Sequence, residues 1–171
     1  CGLKECIQKA AESADWKTKK KQRKDNRGLG VACSYYVSGA AGCGILAHAD
    51  SGAFVKVHED GTVKLLTGAS DIGQGSDTVL CQIVAEELGV RLEDVKIISA
   101  DTGITPRDEG SFSSRVTFIA GNAVKIAAND AKKQILNVAA DMLEANVEDL
   151  EIRDRLIYVK GSPEKGVPFS K

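Results

Sequence analysis

Gly68-Ala69-Ser70-Asp71-Ile72-Gly73-Gln74-Gly75-Ser76-Asp77-Thr78 is the stretch that decides the fold, because it is a glycine-rich loop that runs directly into a helical pattern. A strand-like alternation over residues 62–66 precedes it, and apolar residues at helical spacing follow it to Leu88, before Gly89 as a stop. The first N–H groups of such a helix have no partner within the helix and carry the positive end of the peptide dipoles. The loop is therefore predicted to receive an anion such as a pyrophosphate.

The same stretch allows a purely structural interpretation, a tight strand-to-helix turn in which Ser76 or Asp77 caps the helix. It lacks the Gly-Lys-Ser/Thr ending and the complete GxGxxG of the familiar nucleotide loops, so neither kind of nucleotide site is indicated. Gln74 lies between Gly73 and Gly75, and its side chain offers both an amide donor and a carbonyl acceptor. A polar ligand edge close to the backbone is the functional alternative.

The composition indicates one domain or a large piece of a bigger protein, since 171 residues are enough for a core. Acidic and basic residues nearly cancel, 24 against 23, so no global charge predicts binding to nucleic acid or to an anionic membrane. No apolar run reaches the length of a membrane span, and the N-terminus has no signal-peptide pattern. Five cysteines without a CxxC pair favour reduced thiols in a cytoplasmic protein, with no zinc or iron–sulfur site inside this chain.

Before the glycine loop, the pattern predicts three elements. Apolar spacing predicts a helix from Lys4 to about Trp16, followed by a basic run that is expected to be solvated. The small and apolar residues from Gly28 to Val37 predict a buried strand. Alternation over residues 53–58 and 62–66, joined by a two-residue Asp60-Gly61 turn, predicts a hairpin.

After the loop and its helix, residues 95–99 predict a strand in a parallel crossover. The segment 101–117 is long and rich in Ser, Thr and Gly, and a loop of that size in a compact domain is typically functional or disordered. A helix from about Phe118 to Ala145 follows, then a hairpin about Asp154-Arg155 and a polar end.

These elements predict an α+β fold, a mixed β-sheet with two main helices on one face plus an N-terminal helix. We expect residues 1–27 to form the N-terminal helix and basic linker and residues 28–171 to form the main domain.

The segment 101–117 forms a second loop, and it places serine hydroxyls and the cation Arg115 at the start of the long helix. If the two helices lie side by side, their N-terminal ends would jointly hold an elongated ligand with phosphates or polar ring edges. The alternative is that Ser113 or Ser114 merely caps the long helix and that Arg115 pairs with Asp108.

Several motifs, in this order, resemble one family: Gly-Gln-Gly-x-x-Thr at 73–78, Asp-Thr at 101–102, Gly-Ser-x-Ser-Ser-Arg-x-Thr at 110–117, and Gly-Asn-Ala at 121–123. Together they resemble the molybdopterin-binding large subunit of the xanthine dehydrogenase and aldehyde oxidase family. Within that family, residues 71–77 and 113–117 are most similar to the alpha subunit of 4-hydroxybenzoyl-CoA reductase. The resemblance runs through nearly the whole chain.

The resemblance implies a molybdenum centre on a pterin dinucleotide, usually the molybdopterin cytosine dinucleotide in bacteria, with no protein ligand to the metal. Gly73, Gln74 and Gly75 are implied to meet the pterin or metal-proximal groups, with Thr78 supporting that loop. The residues implied to wrap the pterin, pyrophosphate or nucleotide end are Gly110, Ser111, Ser113, Ser114, Arg115 and Thr117.

The resemblance also implies parts that this chain does not carry. In the family a glutamate in a C-terminal motif acts as base near the metal, and no carboxylate here lies in that motif, so no catalytic residue is assigned. Further cofactor loops, iron–sulfur clusters and FAD belong to other domains or subunits. We therefore interpret the chain as an internal fragment, inactive alone, whose partners are the rest of the large subunit and the iron–sulfur and flavin subunits.

The implied reaction of the parent is molybdenum redox chemistry at an aromatic or heterocyclic carbon. By the nearest resemblance, it removes the phenolic hydroxyl of the CoA thioester 4-hydroxybenzoyl-CoA reductively, giving benzoyl-CoA in aromatic degradation. Two alternatives stay open: a hydroxylase of the same family acting on purines, nicotinate or aldehydes, and a noncatalytic assembly module. The cofactor interpretation requires Gln74 to share a pocket with Ser113 and Ser114.

Overall fold

The computed structural model describes residues 2–22, 26–34, 36, 38–39 and 50–171. The chain divides into two compact units, Cys1–Tyr36 and Val37–Lys171. None of the described helices is both long and apolar enough to cross a membrane.

The described part of the first unit contains two short helices, α1 (Leu3–Ser13) and α2 (Trp16–Lys21). The sequence predicted one helix to about Trp16, but Asp15 adopts the left-handed conformation with φ +47° and interrupts it. The basic run therefore begins within α2 rather than in a linker. Neither helix has a buried residue.

The buried strand predicted from Gly28 to Val37 is wrong over the residues that are described. Residues 28–34 and Tyr36 have no regular secondary structure, and all of them are exposed. Apolar residues allow a segment to be buried, but a strand also needs a neighbouring strand for its backbone hydrogen bonds. Residues 40–49 lie outside the described residues.

Among its described residues, the second unit has two α-helices and two three-stranded sheets, in the order β1-β2-β3 and β4-β5-β6. The elements, in chain order, are β1 (Ala53–Val57), β2 (Val63–Thr67), α3 (Ser76–Leu88), β3 (Val95–Ser99), α4 (Gly121–Leu143), β4 (Leu150–Arg153), β5 (Leu156–Val159) and β6 (Ser162–Pro168). Helices and sheets in this arrangement confirm the predicted α+β class.

The first sheet is mixed, as predicted. β1 pairs antiparallel with β2, placing Val55 opposite Leu65, and β2 pairs parallel with β3, placing Leu65 opposite Ile97. The hairpin connection is one residue longer than predicted, because the His58 N–H still bonds the Thr62 carbonyl at 2.8 Å and leaves three residues between them. The parallel β2–α3–β3 connection confirms the predicted crossover pairing.

The core lies between this sheet and the two helices. β2 buries Val63, Leu65 and Thr67 on one face, as period-two alternation requires. α3 contributes Leu80, Val84 and Leu88, and α4 contributes Val124 and Ala128, all fully buried.

α3 and α4 pack side by side. A Cβ on Gly121 would lie 3.1 Å from Ile83 Cδ1, and Lys125 Nζ lies 3.4 Å from Glu87 Oε1. Gly121 is therefore explained by close helix packing. The long helix is preceded by a π-helical turn at Val116–Ala120, so the helical path begins two residues before the predicted start.

The second sheet is antiparallel throughout. The predicted hairpin is confirmed, with Asp154 and Arg155 at its turn in the left-handed region, φ +50° and +67°. β6 was missed, since its Pro163 and Pro168 lower the strand signal; such a strand is tolerated at a sheet edge. The sheet packs tightly on the end of α3, where a Cβ on Gly89 would lie 2.3 Å from the Ile152 carbonyl oxygen.

Candidate functional site

The two loops singled out in the sequence leave the same edge of the first sheet. β2 and β3 are parallel, so the loop after Thr67 and the loop after Ser99 both begin at carboxyl ends of strands. In open sheets with parallel strands, ligands bind outside these ends. The loop backbones are in contact, because a Cβ on Gly68 would lie 2.2 Å from the Pro106 carbonyl oxygen and 2.8 Å from the Asp108 nitrogen.

The side chain of Gln74 folds back over its own loop. Its Oε1 accepts the Ile72 N–H at 2.6 Å, and its Nε2 donates to the Ser70 carbonyl at 3.2 Å and to Ser76 Oγ at 3.1 Å. Both ends of the amide are thus engaged, which fixes its orientation. Gln74 itself stays exposed, so a ligand edge can still approach it.

Gly73 and Gly75 give this loop its shape. Their φ angles are +100° and +79°, in a region that residues with a Cβ rarely adopt. A Cβ at either position would meet open space within 4 Å, so the glycines are required by backbone conformation. The same open space leaves the loop backbone accessible to a ligand.

The start of α3 is capped by a residue that the sequence interpretation did not select. The Asp71 carboxylate accepts the Gly73 N–H at 2.8 Å through Oδ1 and the Asp77 N–H at 3.1 Å through Oδ2. These N–H groups, Gly73 first, hold the pKa of the Asp71 carboxyl below its ordinary value of 3.8. The structural alternative in which Ser76 or Asp77 caps the helix is therefore wrong. A carboxylate occupies the position where the sequence predicted room for a phosphate.

The two loops meet at one carbonyl oxygen. Ser111 Oγ donates to the Ser70 carbonyl, the same group that accepts from Gln74 Nε2. The structure thus brings together Gln74 and Ser111, two of the predicted site residues, across 37 positions of sequence. For Ser113 and Ser114, a pocket shared with Gln74 stays a prediction.

Ser113 and Ser114 occupy consecutive left-handed positions, with φ +51° and +52°. Residues other than glycine pay about 1–2 kcal/mol for this conformation, and such strain tends to cluster at functional sites. The Ser113 carbonyl accepts the Gly39 N–H at 2.6 Å. Arg115, not either serine, holds the N-cap position of the helical segment, so the alternative in which a serine caps the helix is wrong.

Thr117 lies in the π turn and is exposed. π turns are rare and are frequent at functional sites. A groove of about 450 Å³ runs from this turn along the seam of α3 and α4. The residues that line it include Val79, Ile83, Thr117, Gly121, Asn122 and Lys125. Thr78 is also exposed and lies in the first turn of α3.

Arg115 points into the protein rather than toward solvent. Its NH1 lies 2.7 Å from Asp108 Oδ1, and both side chains are fully buried. The pairing of Arg115 with Asp108, offered as the alternative to ligand binding, is confirmed. Gly110 belongs to the same cluster, since its N–H donates to Asp108 Oδ1 at 2.7 Å and its carbonyl accepts from Arg115 NH1 at 2.8 Å.

Two buried polar atoms have no hydrogen-bond partner among the described residues, Asp77 Oδ1 and Arg115 Nε. The other Asp77 oxygen accepts from Ser99 Oγ at 3.0 Å.

Burial, and then the Asp77 charge, raise the pKa of the Cys81 thiol. In the part of the chain that is described, no group of three His, Cys, Asp or Glu side chains could hold a metal ion.

The fold and the joined loops define a class of protein: an α+β domain that presents a polar, glycine-rich surface at the carboxyl ends of parallel strands. The family described as molybdopterin cofactor-binding domain matches residues 9–171. The chain therefore belongs to that family, as found in the large subunits of xanthine dehydrogenases and CO dehydrogenases. The family resemblance read from the motifs is confirmed, and the narrower assignment to 4-hydroxybenzoyl-CoA reductase stays a prediction.

Relatives of known name are similar over nearly the whole chain. The xanthine dehydrogenase molybdenum-binding subunit of Escherichia coli O157:H7 is 36% identical, over 96% of this chain and 22% of the relative. The 6-hydroxypseudooxynicotine dehydrogenase complex subunit gamma of Paenarthrobacter nicotinovorans is 38% identical, over 91% of this chain and 19% of the relative. The chain thus spans about a fifth of the length of these curated relatives.

The crystal structure of quinoline 2-oxidoreductase from Pseudomonas putida 86 matches 70% of this chain and 15% of that chain, with a TM-score of 0.67 and 35% identity. The Cu,Mo-CO dehydrogenase structure matches 74% of this chain and 16% of that chain, with a TM-score of 0.67 and 34% identity. The fold described above is therefore also found in solved enzymes of this family.

The chemistry of the two loops fits a pterin. A pterin ring edge presents both hydrogen-bond donors and acceptors, and the exposed groups here are neutral: Gln74 Oε1 can accept a second hydrogen bond, and the hydroxyls of Ser114 and Thr117 can donate and accept. The open space beside Gly73 and Gly75 leaves room for the ring to approach the loop. The Asp71 carboxylate at the start of α3 would repel a phosphate, so this end of the site fits the neutral part of the cofactor better.

Proposed function

We propose that this chain contributes part of the pterin site of a molybdenum-dependent oxidoreductase. The observation that carries the proposal is the shared Ser70 carbonyl, which joins the Gln74 loop to the Ser111 loop. Because the two loops touch, we expect their exposed polar groups to approach the same ligand. The match to the molybdopterin cofactor-binding domain family supports a pterin as the occupant.

The proposed roles follow the exposure of each group. Gly73, Gln74 and Gly75 would meet the pterin, with Thr78 supporting the loop. The second group would bind the rest of the dinucleotide, and it comprises Gly110, Ser111, Ser113, Ser114 and Thr117. Arg115 is buried against Asp108, so its role would be to hold this loop. When bound, the cofactor supplies molybdenum redox chemistry at an aromatic or heterocyclic carbon. The residues of this chain bind and orient it.

We infer that the cofactor is the molybdopterin cytosine dinucleotide and that the parent acts in the cytoplasm. Its partners would be the remainder of the large subunit together with subunits that carry iron–sulfur clusters and FAD. The coverage of about a fifth of each curated relative supports a larger parent. We expect the isolated chain to be inactive.

For the substrate, the motifs and the named relatives favour different proposals. The motif similarity favours reductive dehydroxylation of 4-hydroxybenzoyl-CoA to benzoyl-CoA. The relatives named for xanthine and for 6-hydroxypseudooxynicotine favour a hydroxylase acting on a purine or on a nicotinate-like heterocycle. Assaying the intact complex with 4-hydroxybenzoyl-CoA, xanthine, nicotinate and an aldehyde separates them, because each proposal predicts turnover of a different compound.

The pterin proposal is tested by cofactor content. Molybdenum and released cytosine nucleotide would be measured per molecule of the intact parent complex for Gln74→Ala and for the matched control Gln134→Ala, an exposed glutamine on α4 that bonds Asp130. Losing one or two polar contacts of about 1.4 kcal/mol in total weakens binding roughly tenfold. We expect that loss for Gln74→Ala alone. A wild-type complex without pterin or molybdenum would instead support a noncatalytic assembly module.

A further inference from the structure

The buried ion pair of Arg115 and Asp108 makes contacts that a simple surface pair would not make. Arg115 NH1 donates to Asp108 Oδ1 at 2.7 Å and to the Gly110 carbonyl at 2.8 Å. Its NH2 donates to the Asp50 carbonyl and to Ser51 Oγ, both at 2.9 Å. One guanidinium therefore holds the segment before β1 and the segment after β3 at fixed distances.

Asp108 completes this cluster from the other side. Its Oδ1 accepts the Gly110 N–H, and its Oδ2 accepts from Ser51 Oγ. The ring of Phe112 lies under the guanidinium, with its centroid 5.7 Å from Arg115 Cζ. Gly110 and Phe112 of the 108–112 turn are thus bonded to, or packed against, the pair.

Stability alone is a weak explanation for such a pair. Desolvating two charges is costly, and well-packed apolar side chains of similar volume often replace a buried pair without loss of stability. A guanidinium with four acceptors instead fixes direction and spacing, because its donors have a rigid, planar arrangement. Apolar contacts do not fix spacing in this way, since they are not directional.

The turn held by the pair is in direct contact with the Gln74 loop of the candidate site. The Asp108 nitrogen lies 2.8 Å from where a Cβ on Gly68 would be, and Ser111 bonds the Ser70 carbonyl. A shift of the 108–111 turn would therefore move the Gln74 loop through these two contacts.

We propose that Asp108 and Arg115 form a positioning unit that sets the distance between the two loops of the pterin site. Neither side chain needs to touch the cofactor, because both act through Gly68 and Ser111. The effect on cofactor retention rests on the proposed function, whereas the effect on loop order does not.

The test replaces the pair in the full-length parent protein by Asp108→Leu with Arg115→Met. The matched control is Arg91→Met with Asp154→Asn, which removes an exposed pair of the same 2.7 Å length at the far hairpin. Three quantities are measured for each protein: the melting temperature, amide hydrogen exchange over residues 68–75, and the molybdenum and nucleotide content.

We expect the buried-pair variant to melt below wild type, because the Gly110 N–H and carbonyl lose their partners. We also expect it to exchange the loop amides at least tenfold faster and to lose about tenfold in cofactor content. The control should match wild type in loop exchange and cofactor content. If the double variant fails to fold, Arg115→Lys serves, because lysine keeps the charge beside Asp108 but not the planar set of donors. Arg115→Lys should also raise loop exchange and lower cofactor content, but by less than the double variant does.

Loop exchange that stays at the wild-type rate in the folded buried-pair variant, or in Arg115→Lys, would overturn the positioning role. A wild-type protein that holds no pterin, with loop exchange still raised in the variant, would leave the positioning role standing and refute the proposed function instead. Raised exchange with wild-type cofactor content would also refute the link between loop spacing and cofactor retention.

Discussion

Gly68 is the residue at which one added carbon should disturb the site most directly. In Gly68→Ala the Cβ would lie 2.2 Å from the Pro106 carbonyl oxygen, whereas ordinary contacts begin at 3.4 Å, so the two loop backbones must separate by about 1.2 Å. Both obstructing groups, at Pro106 and Asp108, are backbone atoms that cannot rotate away. Overpacking of this kind typically costs about 1–3 kcal/mol, and we expect the upper end, about 3 kcal/mol.

The cost should appear in thermal unfolding. For a chain of this size, 1 kcal/mol corresponds to about 2–4 °C in melting temperature, so Gly68→Ala should melt roughly 6–12 °C lower. Gly30→Ala is the control, because Gly30 has no atom within 4 Å of a Cβ and no positive φ. It should change the melting temperature by less than about 2 °C. A Gly68→Ala protein that melts within about 2 °C of wild type would refute the backbone contact between the loops.

Three further changes test other parts of the structure. Gly89→Ala combines a left-handed φ of +66° with a 2.3 Å approach to the Ile152 carbonyl, so we expect a loss of about 3 kcal/mol in urea unfolding; a loss below about 1 kcal/mol would contradict it. The bond from Arg155 lowers the pKa of Asp94 below 3.8, so this carboxylate stabilises the fold above that pH and the stabilisation is lost as pH falls through the lowered pKa. In Asp94→Asn the urea midpoint of unfolding should therefore change less between pH 7 and pH 3 than it does in wild type. An unchanged pH dependence of the midpoint would count against the Asp94–Arg155 pair. Asp71→Ala should speed hydrogen exchange of the two amides it binds, and exchange at the wild-type rate would exclude the cap.

Much of the fold was predictable because its signals are local. Gly89 ends α3 and Val95–Ser99 forms β3, both as the pattern indicated. The strand predicted from Gly28 to Val37 failed because pairing is not a local property. The sequence analysis missed β6 because its prolines weaken the strand pattern, although an edge strand that pairs on one side only tolerates them.

The sequence identified candidate residues of the site better than it identified the contacts that these residues make. The glycine pattern identified the loop around Gln74, because positive φ and an exposed amide both leave a sequence signature. Asp71 and Asp108 carried a weaker signal, an aspartate two residues before a glycine, which is typical of a carboxylate that bonds the backbone ahead of it. The pairing of Arg115 with the nearby Asp108 was offered as one alternative, whereas its bonds to Asp50 and Ser51 had no signal, since these partners lie 65 and 64 positions away.

The π turn at Val116–Ala120 has a consequence for chain length. Such a turn accommodates one residue more than a regular helix over the same path. Deleting one residue there would let the helix regularise while the chain before it keeps its direction, whereas a one-residue deletion within α4 would rotate everything before it by about 100° around the axis. The serine loop should therefore keep its side of α4 after a deletion in the π turn and lose it after a deletion in α4.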